Sequence, residues 1–306
     1  MSNAGAIATG DAQARSHRLG IILALMTVFV FAAQDGITKV LVRDHAPAQI
    51  IMVRFWAFAI FAIVFAAMRG GLGAAVRSKT PGLQIVRSVL LILQMMVFAL
   101  GLRYLGLADA HALFAIYPLM ATALAMPILG EHVGWRRLMA VGVGFLGALV
   151  IIRPGLTVFD PAGFIQLSAA LGFAFYSLLT RKVSFRDSFA TSILYLGIVG
   201  AIAATAIGLP FWTTPDGDAL LLLLILSTTG IVGHLLLIKA LEYAPATLLQ
   251  PFNYTSLVWA SLIGFTVFGE IPDRWTIAGA MLIVGAGGYV VWRERRIGKI
   301  PARGGN

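Results

Sequence analysis

The chain has 306 residues, of which 59% are hydrophobic and only 12% are charged, and its mean hydropathy is +0.89. This composition excludes a water-soluble globule of this size, because too few polar residues are available to cover its surface. The complete absence of Cys excludes a disulfide framework, thiolate metal sites and thiol catalysis.

Ten apolar stretches follow one another along the chain, and most of them approach the ~20 residues that span a hydrocarbon core. None shows the alternation of a barrel strand, so we predict helices. The segment before Arg15 is polar and rich in small residues, and we expect the first stretch to be an uncleaved helix and not a signal peptide. The stretches cover roughly residues 19–41, 50–68, 83–102, 108–129, 135–152, 163–179, 193–209, 220–241, 246–268 and 275–292.

The same five-stretch unit occurs twice. Residues 39–44 (KVLVRD) recur as 182–187 (KVSFRD), and the Gly-Glu pair at 130–131 recurs at 269–270. A unit with an odd number of helices must enter the membrane in opposite senses, which is the inverted repeat of many secondary transporters. The predicted fold class is therefore an all-α polytopic membrane protein with ten transmembrane helices in two inverted five-helix repeats. The predicted organisation is a cytoplasmic tail (1–17), the two repeats (18–154 and 160–293) and a basic cytoplasmic tail (294–306).

Lys and Arg are distributed unevenly between the two sides of the predicted membrane. With the N-terminus inside, 16 of the 23 cations fall in inside segments and five in outside segments, while Arg54 and Arg87 lie within helices. This excess predicts that both termini are cytoplasmic. The same topology accounts for the net charge of +10, so nucleic acid is not expected as a partner.

The first stretch carries three polar residues near its end, Gln34, Asp35 and Lys39. A charge at mid-bilayer costs at least ~2.5 kcal/mol unless it is paired or hydrated. Two interpretations of Asp35 stay open: a neutralising pair with Lys39 four residues later, or a site for a substrate amine or a proton. Lys39 is matched by Lys182 in the second unit, whereas Asp35 is matched by Leu178. Gln34 and Asp35 are therefore candidate substrate ligands, and the two lysines are candidate structural or coupling residues.

The second and third stretches each contain an arginine near their start, Arg54 and Arg87, which we expect to snorkel to the headgroups. Deeper in the third stretch lie Gln94 and Phe98. Gln94 occupies almost the same repeat position as His234 of the eighth stretch. These polar groups are predicted to converge at the midplane as substrate ligands, or alternatively to form ordinary interhelical hydrogen bonds.

Proline interrupts the fourth and ninth stretches, at Pro118 and Pro251. Proline lacks a backbone N–H and frees a carbonyl one turn earlier. Interrupted helices at corresponding places of two repeats indicate a binding region, although a plain kink satisfied by Ser and Thr is the alternative. His111 can bind a carboxylate or relay a proton, or simply bond near a helix end. The candidate substrate residues beside the two breaks are His111, Phe114, Tyr117, Asn253 and Tyr254.

Aromatic residues recur in these stretches, including Phe98, Tyr117 and, in the sixth stretch, Tyr176. Edge-to-face contacts with such rings are worth ~0.5–1.5 kcal/mol each and would recognise an aromatic solute. Aromatic side chains that only pack or face lipid are the alternative.

The fifth stretch contains GVGFLG at 142–147, which fits the G-x-G-x-x-G dinucleotide pattern. That pattern needs a preceding strand, which a membrane helix excludes. We instead predict that these glycines, Gly144 among them, and their counterparts Gly285, Gly287 and Gly288 in the tenth stretch let helices pack closely, as a scaffold or a dimer face. Glu131 and Glu270, at the starts of the fifth and tenth stretches, are expected to anchor loops at helix N-termini.

Four features occur in order in the first unit and again between residues 241 and 293: the run Leu102-Arg103-Tyr104, a Pro-broken helix, Gly130-Glu131 and a Gly-rich helix. This combination resembles the duplicated EamA-type domain of the drug/metabolite transporter superfamily. Within it, the chain is most similar to bacterial inner-membrane exporters of aromatic amino acids, the YddG type. The resemblance implies that stretches one to four and six to nine enclose a central cavity, with five and ten outside it.

The predicted function is an inner-membrane transporter that exports amino acids, preferably aromatic ones, and similar small metabolites by alternating access. The outward direction is implied by the resemblance alone. A drug, organic-cation or nucleotide-sugar transporter of the same superfamily is the main alternative. A channel would need chemically alike residues at equivalent positions, and an intramembrane enzyme would need motifs that are absent here. The expected partners are a small solute and the lipid bilayer, with no cofactor, no metal ligands and no particular oligomeric state.

Overall fold

The computed structural model describes residues 2–130, 134–152, 162–244 and 249–297, with side chains from residue 17 to residue 293 except at 129, 250 and 251. Within these ranges the chain is helical and contains no β-strand. Nine helical spans in the described part are long and apolar enough to cross a membrane, one of them (Leu107–Ile128) made of two consecutive helices, and a further apolar segment, Phe252–Phe268, is shorter. The predicted all-α polytopic fold is confirmed.

Twelve α-helices are seen in the described part, together with two 3-10 turns at Leu209–Phe211 and Gln250–Thr255. The helices are α1 (Ser2–Leu41), α2 (Pro47–Met68), α3 (Leu72–Val76), α4 (Pro81–Tyr104), α5 (Leu107–Phe114), α6 (Tyr117–Leu129), α7 (Trp135–Ile152), α8 (Ala162–Ser184), α9 (Phe189–Gly208), α10 (Gly217–Tyr243), α11 (Ser256–Phe268) and α12 (Arg274–Ile297).

Two helical segments were not expected from the apolar pattern. The backbone of α1 is helical from Ser2, so most of the predicted N-terminal tail continues the first membrane helix; its Ala-rich, proline-free sequence favours this. The short helix α3 follows α2 after two glycines with positive φ, Gly70 and Gly71. Glycine adopts this backbone conformation without steric cost, so the chain can turn sharply there.

The two repeats run in opposite directions through the membrane, as contacts at the ends of α4 demonstrate. Just after α4, the carbonyl oxygen of Leu105 accepts a hydrogen bond from Lys39 Nζ. Just before α4, the hydroxyls of Ser78 and Thr80 donate to Asp187 Oδ2. A helix of this length spans about 36 Å, so the two copies of the KV…RD motif lie at opposite ends of the molecule. We name these ends the Lys39 face and the Asp187 face.

The closest helix pairs join one repeat to the other: α1 with α10, α2 with α9, α4 with α8 and α7 with α12. Gly144 and Gly287 lie at contacts inside their own repeats, with α6 and with the segment before α11 respectively. A Cβ on Gly144 would collide with Leu119, and one on Gly287 would collide with the Tyr254 hydroxyl. Both positions therefore agree with the predicted packing role, because only a residue without a side chain fits.

Both predicted proline breaks are present. Pro118 lies in the first turn of α6, after the chain leaves α5, and Pro251 lies in the first turn of the 3-10 segment before α11. Proline is tolerated at such positions because their N–H groups have no partner within the helix. The breaks separate short helices with different neighbours. α5 packs against α11 near the Lys39 face, whereas no comparable contact joins α6 to α11 within the described residues.

Candidate functional site

Asp35 of α1 and His111 of α5 form a polar pair between the helices. His111 Nε2 lies 3.2 Å from Asp35 Oδ2, and the two side chains are 8% and 23% exposed. Asp35 does not pair with Lys39, because Lys39 turns toward Glu270 at the Lys39 face. The first of the two open interpretations of Asp35 is therefore wrong, and its carboxylate keeps an accessible surface inside the helix bundle.

Arg54 of α2 lies next to this pair. Its Nη2 donates to Gln34 Oε1 at 2.5 Å, and Asp35 is its charged neighbour. Gln34 is itself buried and donates through Nε2 to the carbonyl oxygen of Thr229 on α10. The prediction that Arg54 snorkels is wrong, because Gln34 holds its guanidinium inside the bundle. Asp35 and Arg54 thus place one negative and one positive charge within electrostatic reach of each other.

A continuous row of aromatic rings extends from His111. The ring of His111 meets Phe98 edge-on at 5.8 Å between centroids, and Phe98 meets Phe114 at 4.9 Å. Phe114 in turn contacts Tyr117 and Phe173. Phe173 is 4.8 Å from Tyr117 and 5.5 Å from Tyr176. The rings come from α4, α5, α6 and α8, so both repeats build this aromatic wall.

Phe173 was not among the sequence candidates, although it makes as many ring contacts as Phe114, with three each. It lies three residues before Tyr176, and residues three apart share a helix face. That spacing was the available signal. Tyr176 ends the wall beside Arg87, whose guanidinium carbon lies 5.5 Å from the centre of the Tyr176 ring.

Arg87 does not snorkel, which corrects the second arginine prediction. Its side chain is 2% exposed, and its Nη2 donates to Gln84 Oε1 at 2.9 Å and to the Ser192 carbonyl oxygen at 2.7 Å. Its Nη1 reaches the hydroxyls of Thr180 and Tyr176. Arg87 therefore joins α4, α8 and α9 behind the aromatic wall.

The two proline breaks meet through Tyr117 and Asn253, whose side chains share a hydrogen bond. Tyr254 faces a different neighbour, because its hydroxyl lies against Gly287 of α12. The structure thus brings Tyr117 and Asn253 together but turns Tyr254 toward the packing helix. The Pro251 side chain lies outside the described part.

His234 and Gln94 lie in different surroundings. The His234 ring contacts Phe58 at 4.8 Å and Phe31 at 5.6 Å, and its Nδ1 lies 2.8 Å from the carbonyl oxygen of Gly230. A carbonyl can only accept, so Nδ1 carries the proton. Gln94 packs instead against Gly172 of α8. The predicted direct convergence of the two polar groups is not seen.

Lys39 and Glu270 form a link between the two repeats at the Lys39 face, which we name the latch. Lys39 Nζ lies 2.6 Å from Glu270 Oε1 and donates to the Leu105 carbonyl oxygen, while Glu270 Oε2 accepts from the N–H of Leu107. The sequence predicted that Glu270 anchors a loop at the start of the tenth helix. In the structure its carboxylate joins the two repeats instead. Its sequence counterpart Glu131 lies outside the described residues. Lys182, the counterpart of Lys39, is exposed at the Asp187 face.

Asp187 joins the repeats at the opposite face. Its carboxylate accepts from the hydroxyls of Ser78 and Thr80, the side chain of Gln84 and the N–H of Lys79, over 2.6–3.0 Å. Burial alone would raise the pKa of Asp187. The hydrogen bonds from Ser78, Gln84, Lys79 and Thr80 outweigh it and lower the pKa to about 2. Asp187 is therefore a charged structural link at neutral pH.

The central arrangement combines an acid, an arginine and an aromatic wall, which suits a solute with a cation, an anion and a flat ring system. Within the described ranges, no group of three or more His, Asp and Glu residues can hold a metal ion.

Known proteins resemble the chain along almost its whole length. The chain is 27% identical over 282 residues to an S-adenosylmethionine uptake transporter of Rickettsia prowazekii, covering 92% of this chain and 95% of that protein. It is 29% identical to a riboflavin transporter of Vibrio cholerae (90% and 94% covered) and 26% identical to the pseudopaline exporter CntI of Pseudomonas aeruginosa (87% and 93%). These names do not support the narrower resemblance to aromatic amino-acid exporters.

A solved crystal structure shares the fold, with a TM-score of 0.61 and 17% identity over 93% of this chain and 99% of the other. The EamA-like transporter family matches twice, over residues 18–153 and 162–291. The chain is a multi-pass membrane transporter and not an enzyme, and it belongs to the EamA-like transporter family.

Proposed function

We propose that the chain transports a zwitterionic solute that carries an amino-acid group and a flat aromatic ring system, with S-adenosylmethionine as the first candidate. The observation that carries this proposal is the partly exposed Asp35 carboxylate, within electrostatic reach of Arg54 and at one end of the aromatic wall. A membrane protein keeps such a charged pair away from water only where the charges are paired or used.

Each part of the site has a matching part in the solute. The Asp35 carboxylate pairs with the ammonium or sulfonium cation of the solute. The Arg54 guanidinium donates hydrogen bonds to the solute carboxylate, for which its planar fork is suited. The adenine ring lies along Phe98, Phe114 and Phe173. Each good ring contact contributes ~0.5–1.5 kcal/mol. This division of roles explains why the charged and aromatic residues are adjacent and not mixed.

The sequence predicted a solute with an amino-acid group and, preferably, an aromatic ring. The proposed solute keeps the amino-acid group and has a larger ring system. The names of the Rickettsia relatives support S-adenosylmethionine. Riboflavin, named for the Vibrio relative, offers a ring system but no amino-acid group for Asp35 and Arg54 to bind. The sequence resemblance implied export, whereas the Rickettsia relatives are named uptake transporters. Both directions would use the same site.

The Lys39–Glu270 link between the repeats supports our proposal of alternating access. The Lys39–Glu270 latch closes one face, and we propose that solute exchanges at the Asp187 face in this conformation. The cation distribution favours a cytoplasmic Asp187 face and cytoplasmic termini. The other conformation then requires that the latch opens.

Counterflow of labelled S-adenosylmethionine into liposomes that contain the purified protein tests the proposal, because counterflow does not depend on the physiological direction. Excess S-adenosylmethionine is expected to inhibit strongly. S-adenosylhomocysteine, which lacks the sulfonium charge, should inhibit less, and phenylalanine and riboflavin should inhibit weakly. Flux of phenylalanine or riboflavin without any flux of S-adenosylmethionine would contradict the proposal and leave the fold untouched.

A further inference from the structure

A pocket at the Asp187 face lies away from the central site. It has a volume of about 240 Å³ and is enclosed by the α2–α3 turn, α3, the segment before α4 and the α8–α9 loop. Its lining therefore comes from both repeats. Four cationic side chains line it, together with one carboxylate: Arg69, Arg77, Lys79, Arg186 and Asp187.

The carboxylate does not neutralise these cations. Asp187 is bonded by two hydroxyls, one side-chain amide and the backbone N–H of Lys79, and by no cationic side chain. Arg69 is paired elsewhere, with Glu242 at 2.9 Å. Within the part of the chain that the structure describes, the side chains of Arg77, Lys79 and Arg186 have no ion pair, and all three are exposed. The pocket thus holds positive charge in excess.

Apolar side chains flank the cations on both sides. On the α2–α3 side, Met68 is 80% exposed and Val76 is 57% exposed. On the α8–α9 side, Phe185 is 75% exposed and Phe189 is 52% exposed. Apolar residues next to unpaired cations at the end of a membrane helix are typical of the boundary between headgroups and acyl chains.

The wall of the pocket is fixed to the bundle. Ala75 of α3 is buried with Ala66 and Leu194. The Tyr195 hydroxyl donates to the carbonyl oxygen of Val76 at 3.1 Å. α3 is therefore held against α9, while its apolar side chains Leu72 and Val76 stay exposed.

We infer that this pocket binds the headgroup phosphate of an anionic phospholipid, with the acyl chains beside the exposed apolar residues. The phosphate supplies the acceptor oxygens that Arg77, Lys79 and Arg186 lack. The flanking apolar residues favour a lipid over a free anion, because inorganic phosphate has nothing to place against them. A lipid bound here bridges the two repeats beside Asp187. The inference does not depend on the identity of the transported solute.

Thermal unfolding of the purified full-length chain in detergent tests the inference. Phosphatidylglycerol is compared with phosphatidylcholine of the same acyl chains and with inorganic phosphate. We expect phosphatidylglycerol alone to raise the Tm by several degrees, since a ligand that binds only the folded state stabilises it. An equal rise with inorganic phosphate would contradict a lipid site.

The decisive variant is Arg77→Gln with Arg186→Gln, and the matched control is Arg18→Gln with Arg136→Gln, which removes two charges elsewhere. We expect the phosphatidylglycerol shift to fall by more than half in the first variant and to persist in the control. A shift that both variants retain, or that both lose equally, would overturn the site in favour of diffuse attraction.

Lys79→Gln covers the case in which the double variant does not fold. Only the backbone N–H of Lys79 bonds Asp187, so this change leaves that link intact. We expect an unchanged Tm in phosphatidylcholine and a smaller shift with phosphatidylglycerol. A full shift in Lys79→Gln, with no folded double variant, would also count against the site.

Discussion

The roles of single residues in this protein depend on hydrogen-bond partners that are far away in the sequence. Arg87 lies where a cation near a helix start is expected to reach the headgroups. It bonds instead to Gln84, Thr180 and Ser192, of which the last two belong to the other repeat. Helical spacing identifies neighbours three or four residues away, so it cannot reveal such partners. Asp35, by contrast, was found from its sequence position because a lone acid in an apolar helix is costly.

Arg87→Lys should destabilise the protein. Lysine cannot replace a planar fork that serves several acceptors, and each buried polar group that is left unpaired costs ~1–3 kcal/mol. The Tm in detergent should fall by several degrees, whereas Arg103→Lys, at an exposed position on the same helix, should leave it unchanged. Equal melting temperatures for Arg87→Lys and the wild type would show that the network contributes nothing.

Asp187 gives a prediction for the dependence of stability on pH. Its folded-state pKa of about 2 is lower than the ordinary value of 3.8, so folding favours the charged form. The stabilisation of the folded state by the charged Asp187 carboxylate is therefore present above about pH 4 and is lost as the pH falls toward 2. Asp187→Asn should therefore lower the Tm at pH 7 and reduce the difference from the wild type as the pH approaches 2. A constant difference between pH 7 and pH 2 would contradict the assignment.

At the scale of elements, the sequence predicts which helices exist but not every place where they touch. Apolar length identifies the membrane helices, and the prolines correctly locate the breaks before α6 and α11. The glycine pattern correctly indicates close packing of α7 and α12. The pattern does not identify α3, because five residues at a membrane boundary give no apolar stretch of their own. The orientation of Tyr254 toward α12 also depends on a contact with Gly287 that spacing does not encode.

The glycines of α7 and α12 divide into two classes that mutagenesis can separate. Gly144 and Gly287 have no room for a Cβ, whereas Gly142 and Gly285 have nothing within 4 Å of one. Gly144→Leu and Gly287→Leu should cost ~1–3 kcal/mol through overpacking and lower the Tm. Gly142→Leu and Gly285→Leu, which introduce the same side chain on the same helices, should not. Equal effects in both pairs would refute the packing role.

For the whole molecule, the inverted repeats place two links between the halves at opposite faces. Lys39 and Glu270 belong to different repeats, and their contact closes the Lys39 face beside α5 and α11. The inverted repeat itself could be predicted, because an odd number of helices per unit determines orientation. The partners in the latch could not be predicted from the sequence, since Asp35 on the same helix is much closer to Lys39 along the chain than Glu270 is.

Breaking the latch should expose the interior from the Lys39 face. The natural chain has no Cys, so a single Ala108→Cys on α5 reports access to this region by its rate of maleimide labelling. Lys39→Met or Glu270→Gln should raise that rate on the order of tenfold, because removing one partner leaves the other, which is largely covered by protein, without its counter-charge. Arg103→Gln, at the same face, should not change it. Labelling that stays slow in both latch variants would exclude the latch as a gate.

The central claim is that Asp35 and Arg54, together with the aromatic wall, bind the solute. Its most direct test is the Kd of S-adenosylmethionine for the purified protein, measured for the wild type, Asp35→Asn and the exposed control Asp44→Asn. A charged hydrogen bond is worth ~1.5–3 kcal/mol, so Asp35→Asn should weaken binding at least about tenfold, while Asp44→Asn binds like the wild type. Unchanged affinity in correctly folded Asp35→Asn would contradict the proposed site.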